Sequence, residues 1–353
     1  MKAIVKEKKG IDNIIYKEVT IPEIDDDEVS IKVKPAGVCG TDLHIFYDEF
    51  PYWPPVILGH EFSGVIEKIG KNITRFKKGD RVTSEPQQKV CGVCRYCRLG
   101  LIHLCSSKRS PGWGIDGAMA EYIKLPDKLL HKLPEDVSFA EGALIEPAST
   151  VTHAIIERGN IMPTDYVVVI GPGPIGLIAS QIAKGSGAQT VVVSGLNKDM
   201  EYRFNVAQEL CIDKIINAEK EDLNYFIREN TGGFGADMAI ECSGSESGIN
   251  QAIDILAKNG KLIGVGLSGK KSLNLKWDKA IFNELNIIPS MSSTYSSWKY
   301  TLDMLKTKKL NLSKIISNIL PMSRYREAFE MTMNRQGLKI VLVPDADFEK
   351  DFK

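Results

Sequence analysis

Apolar and polar positions alternate through the first 150 or so residues. The runs MKAIVKEKKG, EVSIKVKPAGV and GHEFSGVIEKIG are short and broken by Gly, Pro and Asp, the pattern of half-buried strands. From about residue 165 the texture changes. DYVVVIG is a fully apolar strand run, GLIASQIAKGSG reads as helix, TVVVSG as strand and FNVAQEL as helix. DMAIECSG, INQAIDILAKNG and KLIGVGLSG continue as strand, helix and strand. Strand and helix in turn at this spacing predict a parallel sheet with helices on both faces. The alternation ends after NIIPSMSS, near residue 290. WKYTLDMLK and RYREAFEMTM predict amphipathic helices, and KIVLVP a last strand, in a tail expected to return to the β-rich part. The charged end, DADFEKDFK, reads as loose. The predicted fold class is α/β, with a β-rich domain over 1–155 and 291–353 and a doubly wound parallel-sheet domain over 156–290.

Composition narrows the function classes. A length of 353 residues suits two domains. Lys and Arg together number 45, as do Asp and Glu. A net charge of zero gives no reason to expect nucleic acid or an anionic membrane as a partner. No apolar run reaches the roughly 18 residues a membrane span needs, and the N-terminus lacks the apolar core of a signal peptide. The expected location is the cytoplasm, where clustered cysteines more often hold metal or do redox work than form disulfides.

Four of the seven cysteines fall in KVCGVCRYCRLGLIHLC, residues 89 to 105. Cys91, Cys94, Cys97 and Cys105 are spaced C-x2-C-x2-C-x7-C. Such gaps let neighbouring thiolates converge on one ion, and four thiolates close a tetrahedral zinc shell with no open position. Zinc there would staple a lobe at about 89–107. An iron–sulfur cluster also uses tight spacing, but its bacterial pattern ends C-x3-C-P, whereas Cys105 follows seven residues and precedes Ser106. A redox role is the remaining alternative.

VVVIGPGPIGLIA places Gly171, Gly173 and Gly176 as G-x-G-x-x-G between a strand run and a helix run. The first glycine permits a tight turn, the second lets backbone approach a pyrophosphate, and the third lets helix pack on strand. The helix N-terminus then faces the phosphates, so NAD or NADP is the expected cofactor. An acid about 20 residues on would hold the ribose hydroxyl. Gly195, after Ser194, stands there instead, with Lys198, Asp199 and Arg203 following. Without that carboxylate, repulsion of a 2′-phosphate is gone and the two cations can pair with one. NADP is therefore expected to be accepted, alongside NAD, unless Lys198 and Arg203 are only solvated helix charges.

Further chemistry lies upstream. AGVCGTDLHIF contains Cys39, Thr41 and His44, ILGHEFSG contains His60 and Glu61, and ALIEPAST contains Glu146. Together they offer thiolate, imidazole and carboxylate, a set suited to zinc with one position left open. Each alone has a bland reading, as core or surface.

C-G-T-D-L-H, G-H-E-F-x-G, the four-cysteine run, E-P-A and G-x-G-x-x-G, in that order over nearly the whole chain, resemble the zinc-dependent medium-chain dehydrogenase/reductase family. The resemblance implies a GroES-like catalytic domain interrupted by a Rossmann domain, and two zinc ions per chain. It implies Cys39, His60 and Glu146 as catalytic zinc ligands, with Glu61 beside the metal as alternate ligand or supporting carboxylate. It implies a hydride passed between a carbinol carbon and nicotinamide. The proton then leaves through Thr41 and His44, or through water held by Glu61. Pro174 and Ile175 in the glycine loop, and Val265, Gly266 and Leu267 in IGVGLSG, match cofactor contacts. Cys211 and Cys242 are left over, with core filling the expected role. The family forms homo-dimers or homo-tetramers through Rossmann edge strands, and NIIPSMSS reads either as such an edge or as internal.

Glu146-Pro147-Ala148 looks like the polyol branch, which includes sorbitol, arabitol and sugar-alcohol phosphate dehydrogenases. L-threonine 3-dehydrogenases share CGTDLHI but carry a glycine–asparagine stretch after the acidic ligand, where this chain has EPASTVTHA. Sorbitol-type enzymes carry a late Arg-Tyr pair, and here Ser292 and Ser293 stand there. The expected substrate is a pentitol or hexitol, free or phosphorylated. The phosphorylated option rests on SSTYSS and on Arg98 and Lys108, which read equally as surface charges. Relatives that have lost zinc act as quinone reductases or lens proteins, but they lack the ligand types present here.

Overall fold

The computed structural model describes residues 1–351. Two compact units divide the chain, Met1–Glu146 with Ile316 onward, and Pro147–Ile315. These divisions lie elsewhere than the 155/156 and 290/291 boundaries read from the sequence. The helix Tyr295–Lys306 belongs to the second unit, where Thr301 Oγ1 meets Thr152 Oγ1 at 2.8 Å. The following loop is tied there too, since Asn311 N donates to Gln181 Oε1 at 2.8 Å.

The first unit is β-rich. Its seven-stranded sheet runs Ile316–Pro321, Lys339–Val343, Glu28–Gly37, Glu61–Ile69, Arg81–Ser84 and Leu130–Lys132, and Tyr122–Pro126 adds to Glu28–Gly37. A smaller sheet joins Ile14–Glu18, Lys2–Lys6 and Val56–Ile57. The alternation of EVSIKV sends Val29, Ile31 and Val33 into a core with Phe62, Ile66, Ile340 and Leu342. One register matters for chemistry. Gly37 pairs with Glu61 on one side and with Val341 on the other. The C-terminal strand and the strand that starts at Glu61 therefore flank the same glycine.

Over its described residues the charged end is not loose. Asp345–Asp351 is helical. Asp345 accepts from Tyr16 Oη at 2.8 Å, and Asp347 pairs with Lys34 at 3.1 Å. Phe352 and Lys353 lie outside the described residues.

The second unit holds six parallel strands in the order Lys214–Asn217, Thr190–Gly195, Tyr166–Ile170, Ala236–Glu241, Leu256–Gly264 and Asn286–Pro289. That order reverses direction beside Tyr166–Ile170, the place where open α/β sheets bind ligands at the carboxyl ends of their strands. Two details differ from the sequence pattern. LAKNG is the start of a strand rather than a helix tail, because the helix stops at Ile255 and Leu256 already pairs with Ala236. KIIN, too short and polar-flanked to stand out, forms the strand at the opposite edge. Among the described residues, no helix is long and apolar enough to cross a membrane.

Candidate metal centres and cofactor loops

Cys39 caps the helix Gly40–Phe46. Asp42 accepts from the Cys39 amide at 2.9 Å, which fixes the turn that presents the thiol. Thr41 Oγ1 lies 3.7 Å from Cys39 Sγ. His44, three residues on and so on the same helix face, has its Nδ1 3.1 Å from Glu49 Oε2. His60 and Glu61 stand at the start of the long strand Glu61–Ile69. Donor atoms of Cys39, His60 and Glu61 lie within 4.8 Å of one another. Glu146 sits buried in the helix Ile145–Thr152 and acts electrostatically on His60, but its carboxylate is outside that 4.8 Å group. Three of the four predicted ligands, Cys39, His60 and Glu61, are therefore drawn together, with the Glu146 carboxylate buried and acting on His60.

The donors fit a divalent cation. His60 Nδ1 is buried without a hydrogen-bond partner. Burial opposes charge on its ring, yet Cys39, Glu146 and Asp42 push its pKa up to about 10. The direction of that push reflects the acidic groups gathered around the ring. Burial likewise raises Glu146, to about 7, with Glu61 adding to the rise and His60 opposing it. Thiolate, imidazole and carboxylate match zinc.

Two members of this site were not singled out from sequence. Lys339 Nζ donates to Glu61 Oε1 at 2.6 Å and stands 2.5 Å from Oε2, with both side chains buried. Gly37 makes room for them, since a Cβ there would run into the Glu61 carboxylate and lie 3.3 Å from Lys339 Cε. Burial works against the Lys339 charge, but Glu61, Cys39 and Glu146 hold its pKa above the ordinary lysine value. Asp42 is fully buried, and burial pushes its carboxyl up. The available signal for Lys339 was one lysine opening an apolar strand, KIVLV.

The four cysteines of the lobe also converge. Cys94 Sγ is 3.5 Å from Cys97 Sγ, and Cys105 Sγ is 3.7 Å from Cys91 Sγ. Amides of Cys94 and Cys97 point at the sulfurs of Cys91 and Cys94, at 3.3 and 3.5 Å. Backbone N–H groups of Val93 and Cys94 lower the Cys91 thiol to about 6. Such N–H···S contacts favour thiolate and so favour metal. Cys211 is exposed, which corrects the core-filling reading, because it occupies a turn with φ +54°. Burial raises the Cys242 thiol, consistent with packing.

In the second unit the glycine loop follows the strand Tyr166–Ile170. Gly171 has φ +98°, a value costly for other residues. Gly173 caps the helix Pro174–Gly185, and the space where its Cβ would sit is open. A Cβ on Gly176 would strike the Gly171 carbonyl. Turn, open approach and close packing thus fall in the predicted order. Ser194 is buried, and a Cβ on Gly195 would lie 2.6 Å from Phe204 and 2.7 Å from Pro172. Asp199 is turned inward, accepting from the Leu196 amide at 3.0 Å and from Arg203 at 3.1 Å. Amides of Val265 and Gly266 both donate to the Glu241 carbonyl at 3.0 Å, and Leu267 is exposed.

A doubly wound dinucleotide-type sheet and a β-rich unit with a metal-ready donor cluster define a metal-assisted dehydrogenase. Two family models match the chain, the alcohol dehydrogenase GroES-like domain over residues 25–135 and the zinc-binding dehydrogenase over 174–307. The chain belongs to the zinc-binding alcohol dehydrogenase family, whose cofactors are zinc and NAD(P). It is 38% identical to sorbitol dehydrogenase of Halalkalibacterium halodurans, over 98% of this chain and 99% of that one. It is 35% identical to D-arabitol-phosphate dehydrogenase of Enterococcus avium, over 97% of each. The crystal structure of a zinc-binding dehydrogenase from Sinorhizobium meliloti with NADP bound superposes with a TM-score of 0.88 at 28% identity, covering 97% of this chain and 99% of that one.

Proposed function

We propose that this enzyme transfers a hydride between NAD(P) and a secondary hydroxyl of a pentitol or hexitol. The observation that carries the reading is the donor cluster of Cys39, His60 and Glu61, with the buried Glu146 carboxylate acting on His60, so that carboxylates stand beside the thiol and imidazole. Similarity to sorbitol and D-arabitol-phosphate dehydrogenases supports it.

Cys39, His60 and Glu146 would hold the zinc, with Glu61, paired to Lys339, as the exchanging carboxylate. Zinc supplies Lewis acidity that stabilises negative charge on the reacting oxygen. Thr41, beside Cys39, accepts the carbinol proton and His44 passes it outward, its ring fixed by Glu49. Lys339 holds Glu61 in place. The glycine loop and helix N-terminus bind the pyrophosphate. Cys91, Cys94, Cys97 and Cys105 would hold a second zinc that closes the lobe.

Cofactor choice follows from Gly195 and Asp199. Phe204 and Pro172 fill the space an acid at 195 would need, and Asp199 is already engaged. With no free carboxylate at the ribose, NADP is accepted as well as NAD, with Lys198 as the cation toward a 2′-phosphate. The enzyme assembles as a dimer through the edge strand Asn286–Pro289, which pairs on one side only and is flanked by exposed Trp277, Ile281 and Phe282. None of the seven cysteines is paired in a disulfide, which supports a cytoplasmic setting.

The test is a substrate panel on metal-analysed protein: arabitol, sorbitol and galactitol, their phosphate esters, and L-threonine, each with NAD and NADP. Two zincs per chain and turnover of the polyol group are expected. Activity confined to threonine would overturn the polyol reading, and absolute NAD preference would overturn the Gly195 argument.

A further inference from the structure

We propose that the substrate carries an anionic terminus, a phosphate monoester, and that Lys108, backed by Arg109, is the residue that recognises it. This rests on the polyol reading and narrows it.

The segment from 86 to 115 contains no Asp or Glu but five cations, Lys89, Arg95, Arg98, Lys108 and Arg109. Four thiolates on one divalent ion leave two negative charges, which match two of those five cations and leave the rest without a counter-charge. Among the described residues neither Lys108 nor Arg109 has a carboxylate partner. Arg109 is held in place by other means. Its guanidinium stacks 3.7 Å from the centre of the Trp53 ring, and its backbone is bridged both ways to Lys89, at 2.8 and 3.1 Å. Its Nη1 donates to the Lys108 carbonyl at 2.9 Å.

This pair lies in the same unit as the donor cluster and is joined to it by close backbone packing. Lys108 is half-buried, on the turn that leaves Cys105. Four residues later Gly112 packs so closely on Gly59, the residue before His60, that a Cβ would lie 2.9 Å from the Gly59 backbone. Trp113 follows, and its carbonyl accepts from the Trp53 amide at 2.9 Å. One continuous stretch thus ties the cationic pair to the backbone of the candidate ligand His60. The charge Lys108 feels most is that of Glu146. With a divalent ion held by Cys39 and Glu146, and with Glu61 matched by Lys339, that centre has no net negative charge left for Lys108. A half-buried ammonium without a counter-ion is costly unless an anion arrives. A dianionic phosphate on the far end of a polyol supplies one. A lysine is a suitable point charge for it, and charge-assisted hydrogen bonds are the strong ones.

The experiment uses the zinc-loaded enzyme and Lys108→Met and Lys108→Arg variants checked for zinc content. Each polyol is assayed against its terminal phosphate ester and the matching aldonate, and inorganic phosphate is titrated by tryptophan fluorescence. The wild type is expected to prefer the ester in kcat/KM. In Lys108→Met the ester-to-polyol ratio should fall roughly 10- to 100-fold, the range for one charge-assisted contact, mainly through KM. Lys108→Arg should restore part of it. Phosphate should quench fluorescence in the wild type and compete with the ester, and should do neither in Lys108→Met. Free polyols preferred by the wild type, or a ratio unchanged in Lys108→Met, would overturn the proposal while leaving the polyol reading standing. A preference for aldonates would overturn the phosphate assignment. Turnover of threonine alone would bring down both.

Discussion

Replacing Lys339 by Met tests the charge balance of the metal site. The side chain is nearly isosteric, so packing changes little. What is lost is a cation 2.5–2.6 Å from both oxygens of the buried Glu61. Removing one partner of a buried pair typically costs about 3–5 kcal/mol, because the other charge is left uncompensated. For a unit of this size 1 kcal/mol moves Tm by roughly 2–4 °C. In zinc-stripped protein the melting of the β-rich unit should therefore fall by roughly 6–20 °C, read by calorimetry. The loss should be flat from pH 6 to 9. The Lys339 pKa is raised, so its stabilisation is fully present below the ordinary lysine value and fades only as pH climbs through the still higher folded value. Zinc should restore part of the stability by supplying Glu61 with another positive charge, while kcat drops because Glu61 then competes for the open position. Adding Glu61→Gln to Lys339→Met removes the stranded charge and should recover stability. A zinc-free Tm within about 1 °C of wild type, or a double variant no more stable than Lys339→Met, would refute the reasoning.

Cys39→Ser should keep the fold but lower kcat about 10³-fold or more, since several kcal/mol of charge stabilisation depends on the metal; near-normal turnover would contradict the ligand assignment. Cys97→Ser should release one zinc per chain by metal analysis and expose the lobe to protease, because exposed Val93 and Leu99 give it no core of its own. Gly176→Ala should cost about 1–3 kcal/mol or more, by forcing the helix off the Gly171 carbonyl. Gly173→Ala, facing open space, should leave Tm alone and raise the cofactor KM roughly tenfold by crowding the pyrophosphate. Acid stability should depend on Glu157. Burial favours its neutral form, but donors from Ser296, Thr294 and His153 hold its pKa below the usual carboxylate value. Its contribution is present above that ordinary value and disappears as pH falls through the lowered folded one. Wild type should therefore lose more stability than Glu157→Gln between about pH 5 and 3, and parallel denaturation curves would count against this.

Much of the fold was legible because it is written in short-range patterns. EVSIKV alternates because one face of its strand is core, and VVVIGPGPIG names its turn because only glycine meets three separate steric demands there. Cys91, Cys94, Cys97 and Cys105 were legible because their convergence needs only a local turn. The domain boundary was not, because Tyr295–Lys306 is an ordinary amphipathic helix whose side of the division is decided by contacts such as Thr301 with Thr152, over a hundred residues away.

The metal site divides along the same line. Cys39, His60 and Glu146 carry residue types that announce metal, so their candidacy was visible. How Glu61 is held beside the cluster was not, because its partner is Lys339, 278 residues away. A lysine before IVLVP has no local reason to be singled out, since most lysines at strand ends are solvated. Only the pairing of Gly37 with both Glu61 and Val341 makes it inward-facing. A Cβ at 37 would exclude the ion pair. That glycine, unremarked within KPAGVCG, therefore couples sheet register to the charge state of the site. Gly37→Ala should accordingly behave like Lys339→Met in its effect on zinc-free Tm and on zinc affinity, although it touches neither charge. A Gly37→Ala variant with normal stability and normal zinc binding would mean that the ion pair forms without help from this register.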